Sequence, residues 1–271
     1  MSMRLSISHE ITTTFTRPAS YVIQTLRISP RTQGGQYVAD WRLDVDHDCR
    51  LDKATDAFVN HVHSFTLAGP IESVTVTAAG DVDVDDTSGV VERGPRKLPL
   101  GLYLRTTPLT EPDEAIRALG AAAAAAEATS LGRGHALMAL VAEAIEDAED
   151  AANPADVAPA AKVLELGKGS STDVAHIFLA AARGLGLPSR LVSGYMYDEA
   201  HPDRGRRTWA ECYVDDLGWV GFDPLLDQCP TDAYVRVACG LDWLGACPLR
   251  GSSLGLGDSH TTSSVRIRRQ R

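Results

Sequence analysis

Apolar and polar side chains alternate with a period of two through the first third of the chain. Over residues 4–15, Leu5 and Ile7 alternate with Arg4, Ser6 and Ser8, the pattern of a strand with one buried face. Pro18 interrupts, and a second extended run opens at residues 21–28. Residues 38–45 carry Val38, Trp41, Leu43 and Val45, and residues 58–65 carry Phe58, Val62 and Phe65. Residues 71–84 are rich in Val and Thr, with Gly80 marking a turn or bulge. Short strands with turn residues between them predict an antiparallel β-sandwich-like domain.

The period changes to about 3.6 after residues 98–112, which contain Pro99, Pro108 and Pro112. Thr110 is the expected cap of a first helix, with Pro112, Asp113 and Glu114 in its first turn, where carboxylates meet the positive dipole end. The alanine run 121–126 continues it, Gly132 and Gly134 break it, and residues 136–148 form a second helix. Asn153 and Pro154 open a short helix that Gly167 ends. Over residues 171–185, Ala175, Phe178, Leu179, Ala182 and Leu185 line one helical face, and Gly186 stops the helix. Three strands follow at 189–197, 207–214 and 219–222, with a polar loop at 198–206, and Val265 and Ile267 belong to a last strand. The chain divides accordingly into a β-domain at 1–108 and an α+β domain at 109–271.

Charge narrows the function classes. The formal net charge is −10 over 271 residues, which argues against nucleic acid and against an anionic membrane as partners. No apolar run reaches the roughly 20 residues of a membrane helix, and residues 1–10 lack the apolar stretch of a signal peptide, so the expected location is cytoplasmic. The five cysteines form no C-x-x-C pair and read as free thiols of a reducing compartment. His61 and His63 share one strand face, which reads better as an exposed face than as half of a zinc site. The basic residues 266–271 read as a solvated strand end.

Candidate chemistry lies in the second half. Gly169-Ser170-Ser171-Thr172-Asp173-Val174-Ala175-His176 opens a helix, and Arg183-Gly184-Leu185-Gly186-Leu187-Pro188-Ser189-Arg190-Leu191-Val192-Ser193-Gly194-Tyr195 follows. Trp209-Ala210-Glu211 lies on the next strand and Gly218-Trp219-Val220-Gly221-Phe222-Asp223-Pro224 on the one after. This order resembles the transglutaminase-like superfamily. The first half resembles the N-terminal domain of its bacterial members, at Gln24-Thr25-Leu26-Arg27-Ile28-Ser29-Pro30-Arg31 and at Leu102-Tyr103-Leu104-Arg105-Thr106-Thr107-Pro108-Leu109-Thr110. The resemblance implies a papain-like fold and acyl transfer or amide hydrolysis by a Cys-His-Asp triad, without cofactor or metal. The physics suits that arrangement. A helix N-terminus lowers a thiol's pKa, a neighbouring strand holds an imidazole against the sulfur, and the next strand carries the orienting carboxylate.

Carried over residue by residue, the resemblance puts Ser171 where the nucleophilic cysteine belongs and retains Asp223. The histidine slot falls on Thr208 or on Arg207, and neither side chain takes up a proton near neutrality as imidazole does. Ser171 itself suits a helix N-cap. His176 is about 140° around the helix from it and out of reach, whereas His201, in the loop before the second strand, is an alternate base. Trp209 and Glu211 are expected beside the substrate cleft, and Cys212 reads as a buried small hydrophobe. Three functions fit: a catalytically silent protein that binds a peptide or protein partner in the old cleft, an amide hydrolase or acyl transferase rebuilt on Ser171 and His201, and a structural or assembly subunit.

Overall fold

The computed structural model describes residues 2–91, 98–148, 157–202 and 204–270. The fold is α+β, built on two antiparallel sheets. In chain order the elements are β1 (Ser2–Leu26), β2 (Gln36–Val45), β3 (Asp52–Thr55), β4 (His61–Asp85), β5 (Val90–Val91), α1 (Glu114–Ala126), α2 (Ser130–Ala144) and β6 (Glu146–Asp147). There follow α3 (Ala160–Leu166), β7 (Lys168–Gly169), α4 (Ser171–Gly184), β8 (Ser189–Met196), β9 (Arg206–Val214), β10 (Gly218–Phe222), β11 (Tyr234–Gly240), α5 (Trp243–Ala246), β12 (Leu249–Leu254) and β13 (Ser259–Gln270).

The first sheet is sandwich-like because two long strands fold over. The runs expected at 4–15 and 21–28 are one strand of 25 residues, β1, whose pairing with β4 slips between Thr14 and Tyr21, around Pro18. The runs at 58–65 and 71–84 are likewise joined in β4, also of 25 residues. A proline that donates no hydrogen bond is tolerated where the ladder is already irregular. The two halves of this folded sheet face each other across Ile11, Phe15, Val22, Leu26, Phe65 and Val76. The bulge associated with Gly80 sits on the partner strand, β2, between Val38 and Asp40. A Cβ on Gly80 would lie 2.1 Å from the Asp40 carbonyl oxygen, so only glycine fits that close approach.

The strand pairing does not divide at residue 108. β13 pairs with residues 4–15 of β1 and β12 with residues 21–26, so the C-terminal segment completes the N-terminal sheet. In exchange, β5 pairs with β10 at the edge of the second sheet, whose order is β11-β8-β9-β10-β5. An apolar layer including Leu5, Ile7, Val82, Val235, Val237 and Ile267 joins the two sheets. Within it, fully buried His9 places Nδ1 2.9 Å from the Tyr195 hydroxyl and Nε2 2.8 Å from Ser263 Oγ.

The helices cover the other face of the second sheet around Val174, Phe178, Leu191, Ala210 and Phe222. Their caps differ from the expected ones. Asp113, not Thr110, caps α1, accepting the Ile116 N–H at 2.9 Å. Thr110 is buried and accepts from Arg183 Nη1 at 2.8 Å. Thr129 caps α2, which runs straight through Gly132 and Gly134 and stops at Ala144. Gly134 does not break the helix because the helix packs there on Phe222, whose ring would lie 2.5 Å from any Cβ. The expected helix start at Asn153 and Pro154 lies outside the described residues. α3 begins at Ala160 and ends at Gly167, which adopts φ 66°.

Candidate functional site

Ser170, not Ser171, caps α4. Its side chain accepts the Asp173 N–H, and the Asp173 carboxylate accepts the Ser170 N–H in return at 3.0 Å, a capping box. This shifts Ser171 into the first helical turn, against β9. There its Oγ accepts the backbone N–H of Thr208 at 3.2 Å, and Thr172 Oγ1 lies 3.0 Å from Thr208 Oγ1. The Thr208 side chain is thereby turned toward the helix.

Alternation along β9 sends Arg207 to the opposite face, where it meets Asp223 at the end of β10. Arg207 Nε donates to Asp223 Oδ2 and Nη2 to Oδ1, both at 2.6 Å. The pair is planar, two-pronged and buried, with Asp223 fully enclosed. The Tyr234 hydroxyl donates to Oδ2 at 2.8 Å and itself accepts from Gln228 Nε2 at 2.7 Å, while the Leu225 N–H reaches Oδ1 at 3.2 Å. Burial is the first cause that pushes the Tyr234 phenol up, so it stays a hydrogen-bond donor at neutral pH.

Ser171 and Arg207 both open onto a cleft of ≈ 410 Å³, together with His201, Arg206, Leu225 and Leu226. His201 is exposed, with Nδ1 2.9 Å from Asp198 Oδ2. Trp209 and Glu211 do not line this cleft, contrary to expectation, because they are sealed between the sheet and the N-terminal loops. Trp209 is buried with Val192, Met196, Tyr234 and Cys239, and meets the Tyr234 ring edge-on at 5.4 Å. Glu211 is 0% exposed and held by two arginines: Arg190 Nη2 at 2.6 Å on Oε2 and Arg236 Nε at 2.7 Å on Oε1. Arg190 also stacks over the Trp219 ring at 3.8 Å. Burial works to raise the Glu211 carboxyl, but the two guanidiniums outweigh it and hold it below the usual range.

Other titratable groups near the site are structural. His176 is wholly buried, its Nε2 accepts the Trp243 N–H at 3.0 Å, and burial together with Arg183 pushes its pKa down to about 3. The Cys212 thiol, packed in the helix–sheet core, is pushed up to about 12 by burial. His63 is buried on the inner face of β4 rather than exposed, because that face packs into the folded sheet. Among the described residues, no three His, Cys, Asp or Glu side chains converge to hold a metal ion. Sequence reasoning missed Arg190, Arg236 and Tyr234. The available signal was two arginines inside otherwise apolar strands, which need buried counter-charges.

Both halves of the chain match known proteins. Residues 117–224 match the transglutaminase-like superfamily core, and residues 5–83 match the bacterial transglutaminase-like N-terminal region. An uncharacterized protein of Mycobacterium leprae (strain TN) is 24% identical over 285 residues, spanning 98% of this chain and 99% of its own length. Among solved structures, a "Putative Cysteine Protease from Cytophaga hutchinsonii" superposes with a TM-score of 0.79 at 18% identity, covering 100% of this chain and 92% of that one, which establishes a shared fold. Residues 117–224 are thus a transglutaminase-like superfamily core, preceded at residues 5–83 by the bacterial transglutaminase-like N-terminal region.

Proposed function

We propose that the protein is catalytically silent in acyl transfer and that its cleft binds a peptide or protein partner. The observation that carries this reading is the Arg207–Asp223 pair, with two contacts of 2.6 Å. In an active triad the carboxylate orients an imidazole that takes the nucleophile's proton. Here a guanidinium takes the carboxylate, and a guanidinium stays protonated throughout the physiological range, so it serves as no base. Of the two candidates for the histidine slot, Arg207 is the one this reading assigns, since Thr208 turns to Thr172. Ser171 retains a helix-opening position, where its Oγ accepts the Thr208 N–H. A cleft of ≈ 410 Å³ with Leu225 and Leu226 in its lining supports the binding half of this reading.

An amide-hydrolysis and amine-incorporation assay on the wild type and Ser171→Ala tests the silent half of the proposal. Background turnover in both proteins is expected. Turnover in the wild type that Ser171→Ala abolishes would favour the second reading, a hydrolase rebuilt on Ser171 and His201. That reading rests on the two side chains lining one cleft. The binding half predicts that a captured partner is lost on Leu226→Asp, an exposed change within the cleft. Retention of the partner favours a structural subunit whose cleft has no role. We assign the protein to the cytoplasm, on the strength of its five unpaired cysteines. No helix among the described residues is long and apolar enough to cross a membrane.

A further inference from the structure

The folded first sheet has a second opening, which shares no lining residue with the cleft and is independent of the function proposed for it. β12 and β13 both pair with β1, but with its two different halves, and so diverge at its bend. A wedge-shaped cavity of ≈ 290 Å³ lies between them. Its floor is the apolar interior of the folded sheet, through Phe15, Val22 and Leu249. Its mouth is flanked by Ile23 and Leu244, large apolar side chains that remain 42% and 46% exposed among the described residues.

One polar side chain on this inner face is incompletely bonded. Gln24 lines the wedge and is 3% exposed. Its amide nitrogen makes a long bond of 3.4 Å to Thr13 Oγ1, which in turn lies 3.2 Å from Thr261 Oγ1. These contacts orient the amide and leave its Oε1 buried with no partner among the described residues. A buried acceptor without a donor is costly, and such groups are rare unless they await water or a ligand. The terminal torsion of glutamine is soft, so the amide can give up its long bond to Thr13 and reorient when a donor enters the cavity. Among the described residues Arg250 is the only ionic side chain lining the wedge, and its guanidinium already donates to the Leu244 carbonyl at 3.0 Å.

We propose that the wedge binds a small uncharged molecule that buries an apolar body against Phe15, Val22 and Leu249 and donates one O–H or N–H hydrogen bond to Gln24 Oε1. The chemistry follows the general pattern of ligand pockets, a mostly apolar lining with one placed polar group that sets orientation. A carboxylate would face the Gln24 acceptor and pay for its own burial.

Titration of the full chain with benzyl alcohol, ethylbenzene and benzoate, followed by amide NMR shifts, tests the proposal. Saturable shifts at residues 13–15, 22–24, 249–253 and 261 are expected for benzyl alcohol. Gln24→Leu should weaken benzyl alcohol about tenfold, the worth of one hydrogen bond, and leave ethylbenzene within about twofold. Leucine removes the lone acceptor without opening a cavity, so the variant is expected to fold. Leu244→Asp, at an exposed position, supplies a second check and should weaken both ligands. The proposal is overturned by shifts that do not saturate or that fall elsewhere, by benzyl alcohol binding that ignores Gln24→Leu, or by benzoate binding more tightly than benzyl alcohol.

Discussion

Two arginine–carboxylate clusters hang from the same face of β9, two residues to either side of Trp209, and they do different work. At Arg207 the partner is Asp223, and the pair borders an open cleft. At Glu211 the partners are Arg190 and Arg236, and the cluster is sealed under Trp219 and the N-terminal loops, with Arg236 Nη1 also donating to Gln33 at 3.1 Å. In the function proposed above, the first cluster takes the place of the catalytic base. The second ties β8, β9 and β11 to the N-terminal region. Strand alternation alone puts both on one face, and what distinguishes them is enclosure: a buried charge pair that seals an interface serves the fold, and one that fronts a cleft also dictates which chemistry the cleft forgoes.

The largest test of that distinction is Glu211→Gln. It removes the single carboxylate between two buried guanidiniums, and loss of one partner from a buried ion cluster costs about 3–5 kcal/mol. Urea unfolding measures it, and a loss under about 1 kcal/mol would refute the structural role. Arg207→Ala should cost less, about 2–3 kcal/mol, because Asp223 keeps the Tyr234 hydroxyl and the Leu225 N–H and the adjoining cleft admits water. The double change Arg207→Met with Asp223→Asn should recover most of that loss, since removing both charges leaves neither unpaired. A double variant as unstable as the sum of its parts would mean that the two side chains do not act as a pair.

How much of this was legible in the sequence depends on the range of the interaction. The α4 helix and the three strands after it follow from local periodicity and motif spacing, and they appear where expected. Caps misread by one to three residues, Ser171 for Ser170 and Thr110 for Asp113, reflect competing Ser and Thr neighbours with nearly equal capping chemistry. The opposite directions of Thr208 and Arg207 needed the sheet's two faces: the helix side takes Thr208 and the cleft side takes Arg207. The return of β12 and β13 to the first sheet was hidden, because pairing of residue 4 with residue 270 leaves no local trace. Trp209 and Glu211 looked like cleft residues from motif position alone, and the arginines that enclose Glu211 lie 21 and 25 residues away.

Acid separates these clusters from the buried histidines, with a smaller effect. Burial first, then Arg206 for His9 and Arg183 for His176, pushes both imidazoles down to about 3. Both are neutral in the folded protein while the unfolded chain takes up protons near pH 6.5. The unfolded state therefore binds more protons below pH 6.5, and stability falls with pH from there toward about 3, at about 1.4 kcal/mol per pH unit for each histidine. By pH 5 each contributes a loss of about 2 kcal/mol. Glu211 acts lower: its folded pKa is depressed, so its contribution is intact above the usual glutamate range and disappears as pH drops through and below it. Unfolding free energies at pH 7, 6 and 5 should thus decline before any carboxylate of the Arg190–Glu211–Arg236 cluster is protonated. His9→Gln should flatten the slope by about 1.4 kcal/mol per unit and keep hydrogen-bonding capacity toward Tyr195 and Ser263. A profile already flat between pH 6.5 and 5 in the wild type would show that these histidines open to solvent in the folded state, and would leave the Arg190–Glu211–Arg236 cluster as the principal acid-sensitive element of the fold.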